Sequence, residues 1–268
     1  GTEKADELIV EDEAHLQCGR ALWSCLADQE PRKSTQIQAD SENIAGKTLP
    51  LSSLQKLLGK RMVQSKRDIP CFYLTARVDV TEITGLIDQL NSGSDIKVCL
   101  DDFVVSAIAR NFSQFPEMTG QLGADVIRLA ENIGVGIVIE TEDGAVSPVI
   151  KDADKKTLKQ IAAARAELSE RTRKRKLQIE DLEGACISLS NAGVYGVDLF
   201  IPVVIPGQCS IIGIGRANEE CIPGGRGKID VRKIMKMTIA VDHRIANGAD
   251  AGQFLDQIKK TLENTENF

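Results

Sequence analysis

Imidazole is scarce in this chain. Of 268 residues only His15 and His243 are histidines, so chemistry that needs an imidazole has two candidate positions. Cysteine is present but unorganised: Cys18, Cys25, Cys71, Cys99, Cys186, Cys209 and Cys221 include no Cys-x-x-Cys pair, and their number is odd. That pattern argues against a structural zinc site or a disulfide framework, and for a reducing compartment with mostly buried thiols. No apolar run approaches the roughly 18 residues that a membrane helix needs. The opening Gly1-Thr2-Glu3-Lys4 has neither the apolar core of a signal peptide nor the Arg-rich face of a transit peptide. Positive charge is in deficit as well. A formal net charge of −6 provides no global basic field for nucleic acid or an anionic membrane, so local basic groups or backbone N–H groups must hold any anionic ligand.

What is there is ordinary for a globular chain, with 42% hydrophobic residues and a length sufficient to bury a real core. Residues 1 to about 48 differ from the rest. A helix is expected from Glu11 to Leu26, followed by a polar stretch from Asp28 to Asn43 that reads as a linker or surface arm without a core of its own. From 49 to 268 the chain reads as one domain. Leu51, Leu54, Leu58 and Met62 recur at helical spacing, and Phe72 to Val78 reads as a strand after Pro70. Helices are expected over Val80–Leu90, Asp102–Phe115, Leu158–Lys176 and Ala249–Leu262. Strands are expected over Ile133–Thr141, Val146–Ile150, Cys186–Ser190, Val203–Ile205, Ser210–Ile214 and Lys236–Val241. Helices and strands interleave without a regular βαβ rhythm, which predicts an α/β fold: a mixed β-sheet flanked by helices.

Two stretches carry chemical potential. Val241-Asp242-His243-Arg244-Ile245-Ala246-Asn247-Gly248 lies between a strand and a helix and sets one histidine beside an acid, a guanidinium and an amide. It reads either as a functional loop or as a hydrogen-bonded turn in which His243 satisfies its neighbours. Leu189-Ser190-Asn191-Ala192-Gly193 ends a strand with a hydroxyl, an amide and a glycine. It reads either as an oxyanion-binding turn or as an ordinary polar turn. Lys56 and Arg61 are candidates for an anionic ligand or for a solvated helix face. The basic run Arg171 to Lys176 has no interleaved aromatics and reads as a solvated helix end, not a nucleic-acid site.

Together the two stretches resemble the dihydrolipoamide acyltransferases, the catalytic cores of 2-oxo acid dehydrogenase complexes. Asp242-His243-Arg244 with Asn247-Gly248 resembles that family's Asp-His-Arg signature with its following Asp/Asn-Gly, and the histidine spacing also resembles chloramphenicol acetyltransferase. Leu189 to Gly193 resembles the family's serine-bearing turn. Ile69 to Leu74, Asp101-Asp102-Phe103 (Asn-Asp-Phe in the family), Glu142-Asp143-Gly144 through Pro148-Val149-Ile150, Phe200-Ile201-Pro202 and Pro206-Gly207-Gln208 fall in the family's order. The resemblance covers roughly residues 48 to 268. Two departures stand out: Gln55 where the family has an arginine, and Cys71 where it has a histidine.

The resemblance implies a chloramphenicol-acetyltransferase-like two-layer sandwich that moves an acyl group, acetyl first, between dihydrolipoamide and coenzyme A. A thiol with a pKa near 8.5 is mostly protonated at neutral pH, so its attack needs a base. His243 would be that base, Ser190 the donor to the tetrahedral oxyanion, and Asn247 the residue that orients the histidine loop. Asn191 would contact substrate, while Asp242, Arg244 and Gly248 would be structural, and no metal is required. The resemblance also implies a homotrimer in which His243 works with Ser190 of a neighbouring copy, with possible growth into a cubic or dodecahedral cage. Its partners would be a lipoyl domain, supplied from elsewhere in a longer chain or by another chain, and the dehydrogenase components of the complex. The expected compartment is the bacterial cytoplasm or the mitochondrial matrix. Two other functions stay open on residues alone: a scaffold with the same fold and weak catalysis, and a free-standing coenzyme-A-dependent acetyltransferase.

Overall fold

In the strand ending at Asp242, Met235, Met237, Ile239 and Val241 alternate with Lys236, Thr238, Ala240 and Asp242. A strand sends successive side chains to opposite faces, so this alternation gives the sheet one thoroughly apolar face and one mixed face. The computed structural model, which describes residues 48–268 apart from Ser94, Asp143 and the side chain of Arg226, follows that pattern. The helix and linker expected before residue 48 lie outside the described residues.

The central sheet contains β1 (Cys71–Asp79), β4 (Val135–Ile137), β7 (Val149–Ile150), β8 (Ile187–Asn191), β9 (Ser210–Pro223) and β10 (Ile229–Asp242). Their order is β1-β10-β9-β8-β4-β7. The pairs β1/β10, β10/β9 and β4/β7 are antiparallel, and β8/β9 and β4/β8 are parallel, so the sheet is mixed as expected. Two small hairpins stand apart: β2 (Gln121–Leu122) with β3 (Ile127–Arg128), and β5 (Ile139–Thr141) with β6 (Gly144–Val146).

Four helices seal one face of the sheet: α2 (Thr81–Asn91), α3 (Leu100–Asn111), α4 (Leu158–Arg173) and α5 (Gly248–Glu263). Ile83, Phe103, Ile108, Ile161, Phe254 and Ile258 from these helices are fully buried against Met237, Ile239 and Val241. Asp102 on α3 is also fully buried. Arg165 of α4 donates to both its oxygens at 2.6 and 3.0 Å, and the Cys99 N–H adds a third bond at 2.8 Å. A buried carboxylate without such partners would be strongly unfavourable, so this pair locks α3 to α4.

Among the described residues the opposite face carries a small cluster around Val204, Ile211 and Ala240. Helix α1 (Ser53–Asp68) lies toward this side and buries a single residue, Ser65, whose hydroxyl donates to the Val204 carbonyl at 2.5 Å. One face closed by helices and one partly open makes a two-layer sandwich. The open face is where a ligand has room.

Several elements differ from expectation. Val203–Ile205 pairs with no strand among the described residues, because Pro202 and Pro206 bracket it and supply no ladder donors. Ile133–Thr141 is not one strand. It leaves the central sheet after Ile137 and re-forms as β5 in a separate hairpin. Strands β9 and β10 extend far beyond the expected apolar segments into a long polar ribbon, where Glu219 faces Lys233 and Glu220 faces Arg232 in register. Opposite charges directly across a strand pair stabilise such a ribbon without a core. The expected helix from Asp102 to Phe115 begins two residues earlier and ends at Asn111.

Candidate active site

Ser190 sits near the end of β8, paired with Gly213 of β9 on one side of the strand. Leu189 is buried in the helix-covered core, so strand periodicity turns Ser190 to the open face. There it borders a cleft of about 360 Å³ whose walls include Leu58, Met62, Val138, Phe200 and Ile211. Its hydroxyl makes no hydrogen bond within the described residues and remains available to a ligand. The turn after it is held tightly. Asn191 donates from Nδ2 to Asp101 Oδ1 at 2.6 Å and accepts the Gly193 N–H at 2.8 Å. Gly193 lies against the backbone of β9, where a Cβ would stand 2.7 Å from the Arg216 nitrogen.

Asn191, expected to touch substrate, therefore has both side-chain polar atoms engaged within the chain. As Ser190's neighbour in a strand, it faces the opposite side of the sheet, toward the first turn of α3. Asp101, its partner, has its carboxyl pushed upward by burial, an effect opposed by the bond from Asn191.

His243 follows the last residue of β10. Its N–H donates to the Pro70 carbonyl at 3.0 Å, and its ring lies 4.7 Å from that of Phe72 at an angle of 57°. The imidazole is otherwise exposed. The loop beneath it is braced by Asp242, which is buried. Arg244 donates to Asp242 from its own N–H at 3.0 Å, from Nε at 2.9 Å and from Nη2 at 2.7 Å. Asn247 caps α5: its Oδ1 accepts from the Ala249 and Asp250 N–H groups at 2.8 and 3.0 Å. Gly248 opens that helix with free space around it among the described residues, whose packing does not require a glycine there.

The structure does not bring Ser190 and His243 together in one chain. Gly213, which faces Ser190, pairs in turn with Thr238, and His243 is five residues further along. At about 3.3 Å per residue and 4.8 Å per strand step, that register separates the two by roughly 19 Å. No proton passes directly over such a distance.

The departures at 55 and 71 have local roles. Gln55 and Ser52 form a reciprocal capping box at the start of α1, with bonds of 2.8 and 3.1 Å. Cys71 faces Asp242 across β1 and β10, and burial together with that carboxylate pushes its thiol upward. Cys209, beside the same loop, is pushed up to about 12 by burial. Neither thiol is poised to act as a thiolate at neutral pH. The basic run 171–176 is largely paired internally: Arg171 with Glu167 and Asp181, Lys174 with Glu170, and Arg175 with Glu142. A larger hollow of about 590 Å³ beside Arg77 and Arg232 is ringed by ion pairs and borders neither Ser190 nor His243.

Reading the residues in order missed the cleft itself. It is assembled from α1, the β5–β6 hairpin and the loop from Phe200 to Gln208, segments far apart in sequence. The signal available beforehand was the proline-bracketed run 202–206, which leaves the sheet and builds one wall.

Comparison with known proteins decides the family. The family model for the 2-oxoacid dehydrogenases acyltransferase (catalytic domain) matches residues 44–268. The chain belongs to this family. Among its relatives is component 3 of the mitochondrial pyruvate dehydrogenase complex dihydrolipoyllysine-residue acetyltransferase of Arabidopsis thaliana, 31% identical over 248 residues, which are 90% of this chain and 46% of that protein. The corresponding component of Rickettsia bellii is 29% identical over 218 residues, covering 80% of this chain and 52% of the relative. The chain thus spans about half the length of these curated relatives. A truncated catalytic core of the 2-oxoacid dehydrogenase multienzyme complex from Thermoplasma acidophilum superposes with a TM-score of 0.75 at 26% identity, covering 82% of this chain and 99% of that one. No helix among the described residues is long and apolar enough to cross a membrane.

Proposed function

We propose that residues 49–268 are an acyltransferase domain that moves an acyl group, acetyl in the first instance, between dihydrolipoamide and coenzyme A. Residues 1–48 are then an extension or linker to it. The observation that carries this reading is Ser190: a free hydroxyl at a strand end, bordering an apolar cleft, in a chain of this family. His243 removes the proton from the attacking thiol, a contribution of about 10²–10⁴-fold for a well-placed general base. Attack on the thioester carbonyl places negative charge on its oxygen, and Ser190 donates a hydrogen bond to that oxyanion. Collapse expels the other thiolate, which takes the proton back from His243. Asp242 and Arg244 hold the loop that carries His243, and Asn247 fixes the start of the helix behind it. Asn191 acts by tethering the Ser190 turn.

Because Ser190 and His243 lie roughly 19 Å apart by register, the working site combines His243 of one copy with Ser190 of another. This supports a homotrimer with the site at each interface, able to build the cubic or dodecahedral core of a 2-oxo acid dehydrogenase complex. Coenzyme A enters as a substrate. A lipoyl domain brings the second thiol, and the dehydrogenase components dock on the same assembly. Relatives named from a bacterium and from mitochondria fit a bacterial cytoplasmic or mitochondrial matrix location.

The test is acetyl transfer from acetyl-coenzyme A to free dihydrolipoamide by the purified protein. The expected result is robust transfer that falls by two or more orders of magnitude in His243→Ala and by about 10²–10³ in Ser190→Ala, the usual loss of one oxyanion donor. A folded wild type inert toward several acyl-coenzyme A species would favour a scaffold instead.

A further inference from the structure

Gln208 has no role in the scheme above, yet its position is unusual. It is only 8% exposed, and its Oε1 is buried without a hydrogen-bond partner among the described residues. The carboxamide borders the same cleft as Ser190, among Leu57, Met62, Val203 and Ile205. The backbone beneath it is rigid. Its N–H donates to the Ile205 carbonyl at 3.1 Å across a turn in which Gly207 holds φ at +92°, and the Cys209 carbonyl accepts the Asp242 N–H at 2.9 Å. A buried acceptor left unpaired is unfavourable, and a methionine would fill the same space without that penalty. Of the unpaired buried polar atoms among the described residues, this one belongs to a side chain that lines the Ser190 cleft, where a ligand can bring a donor.

Taking the acyltransferase reading as its basis, we propose that Gln208 is a substrate-binding residue whose Oε1 accepts the N–H of an amide on a flexible, thiol-bearing arm. The cleft around it suits methylene groups, with Ser190 at the reacting end and Gln208 further along. Gln208 lies five residues before Gly213, two of them ahead of the start of β9 at Ser210, so at most roughly 16 Å of chain separates them. Both thiol substrates carry an amide on an alkyl arm. The lipoyl arm has one at its attachment point, and the pantetheine arm of coenzyme A has two. The shared chemistry is an amide donor at a set distance from a thiol or thioester. A site built around a hydrogen bond discriminates against an isostere that lacks the donor, because its own polar group is then left unpaired.

The test compares wild type with Gln208→Met in two ways. The first is thermal melting of the free protein. An acceptor waiting for a ligand costs stability, so the variant should melt at or above the wild-type temperature; a clear fall would mark Gln208 as structural and overturn the proposal. The second is transfer with two pairs of substrates that differ only in the donor. N-methyl dihydrolipoamide is set against methyl dihydrolipoate as acceptor, and S-acetylpantetheine against its analogue with an ester in place of the amide further from sulfur as acetyl donor. In wild type the amide member of one pair should show a KM about three- to tenfold lower, the worth of one net hydrogen bond. In Gln208→Met that preference should disappear with kcat little changed. The pair that responds identifies which arm Gln208 holds. A preference that survives in both pairs overturns the proposal. If wild type transfers nothing, calorimetric binding of coenzyme A and dihydrolipoamide separates the two ideas. Binding that Gln208→Met weakens retains the site and sinks the reaction, whereas equal binding, or none, sinks Gln208.

Discussion

Replacing Arg244 by methionine tests whether the loop under His243 is braced electrostatically. Asp242 is buried, and three of the bonds to its carboxylate come from Arg244, two from the guanidinium and one from the backbone. Methionine keeps the backbone bond to Oδ1 and leaves Oδ2 with none of those three. Breaking a fully buried ion pair costs about 3–5 kcal/mol. Here the arginine side chain is 39% exposed, so water can enter the space it leaves and screens the pair already. The expected loss is therefore about 1–2 kcal/mol, or a fall in Tm of roughly 2–8 °C for a unit of this size. Urea unfolding at pH 7 reads the stability. A double-mutant cycle with Asp242→Asn isolates the pair, because the arginine loses its charged partner in that background. Transfer kinetics should show kcat falling with KM nearly unchanged, since the brace positions His243 and touches no substrate. A variant within about 0.5 kcal/mol of wild type, with unaltered kcat, would refute the bracing role.

The Ser190 turn offers two further tests. Asp101 has a folded-state pKa raised by burial, so between the unfolded carboxylate range near 4 and that higher value the folded chain retains a proton the unfolded chain has lost. Stability from this group therefore falls as pH rises through that window. Asp101→Asn keeps an acceptor for Asn191 and removes the titration, so its stability relative to wild type should climb from about pH 4 upward and then level off. Parallel melting curves across pH 4–7 would contradict the assignment. In Gly193→Ala the new Cβ would meet the Arg216 and Gly215 backbone at 2.7 Å. Backbone cannot swing aside, so we expect a loss of about 1–3 kcal/mol together with reduced transfer; a neutral variant would show that the turn is looser than the structure indicates.

The sheet and its helical cover were legible where burial imposes a period. The strand expected over Lys236–Val241 and the helix expected from the spacing of Leu51, Leu54, Leu58 and Met62 both form, within β10 and α1. The ribbon beyond Gly215 was not legible, because Asn218, Glu219, Arg232 and Lys233 stabilise strands through cross-strand charge and leave no apolar signature. Proline explains the opposite error at Val203–Ile205, where β-branched residues favour a strand that their flanks cannot pair. At the candidate site, residue types were readable but directions were not fully used. Ser190 and Asn191 are adjacent in a strand, so one cleft cannot readily receive both side chains. Asn247 directly before a helix has the form of an N-cap, a reading available from sequence. The distance between Ser190 and His243 was hidden, since only strand order and register reveal it.

That distance underlies the central claim, and mixed assemblies test it most directly. Ser190→Ala and His243→Ala chains, each expected to be nearly inactive alone, are unfolded together in equal amounts and refolded into the proposed trimers. An interface works only if a His243→Ala chain contributes its serine and a Ser190→Ala chain contributes its histidine. Random mixing of a cyclic trimer makes that true at about a quarter of the interfaces. Sites shared between copies therefore restore about a quarter of wild-type transfer. Sites complete within one chain restore nothing, and a mixture as inactive as its separate parts would contradict the shared site.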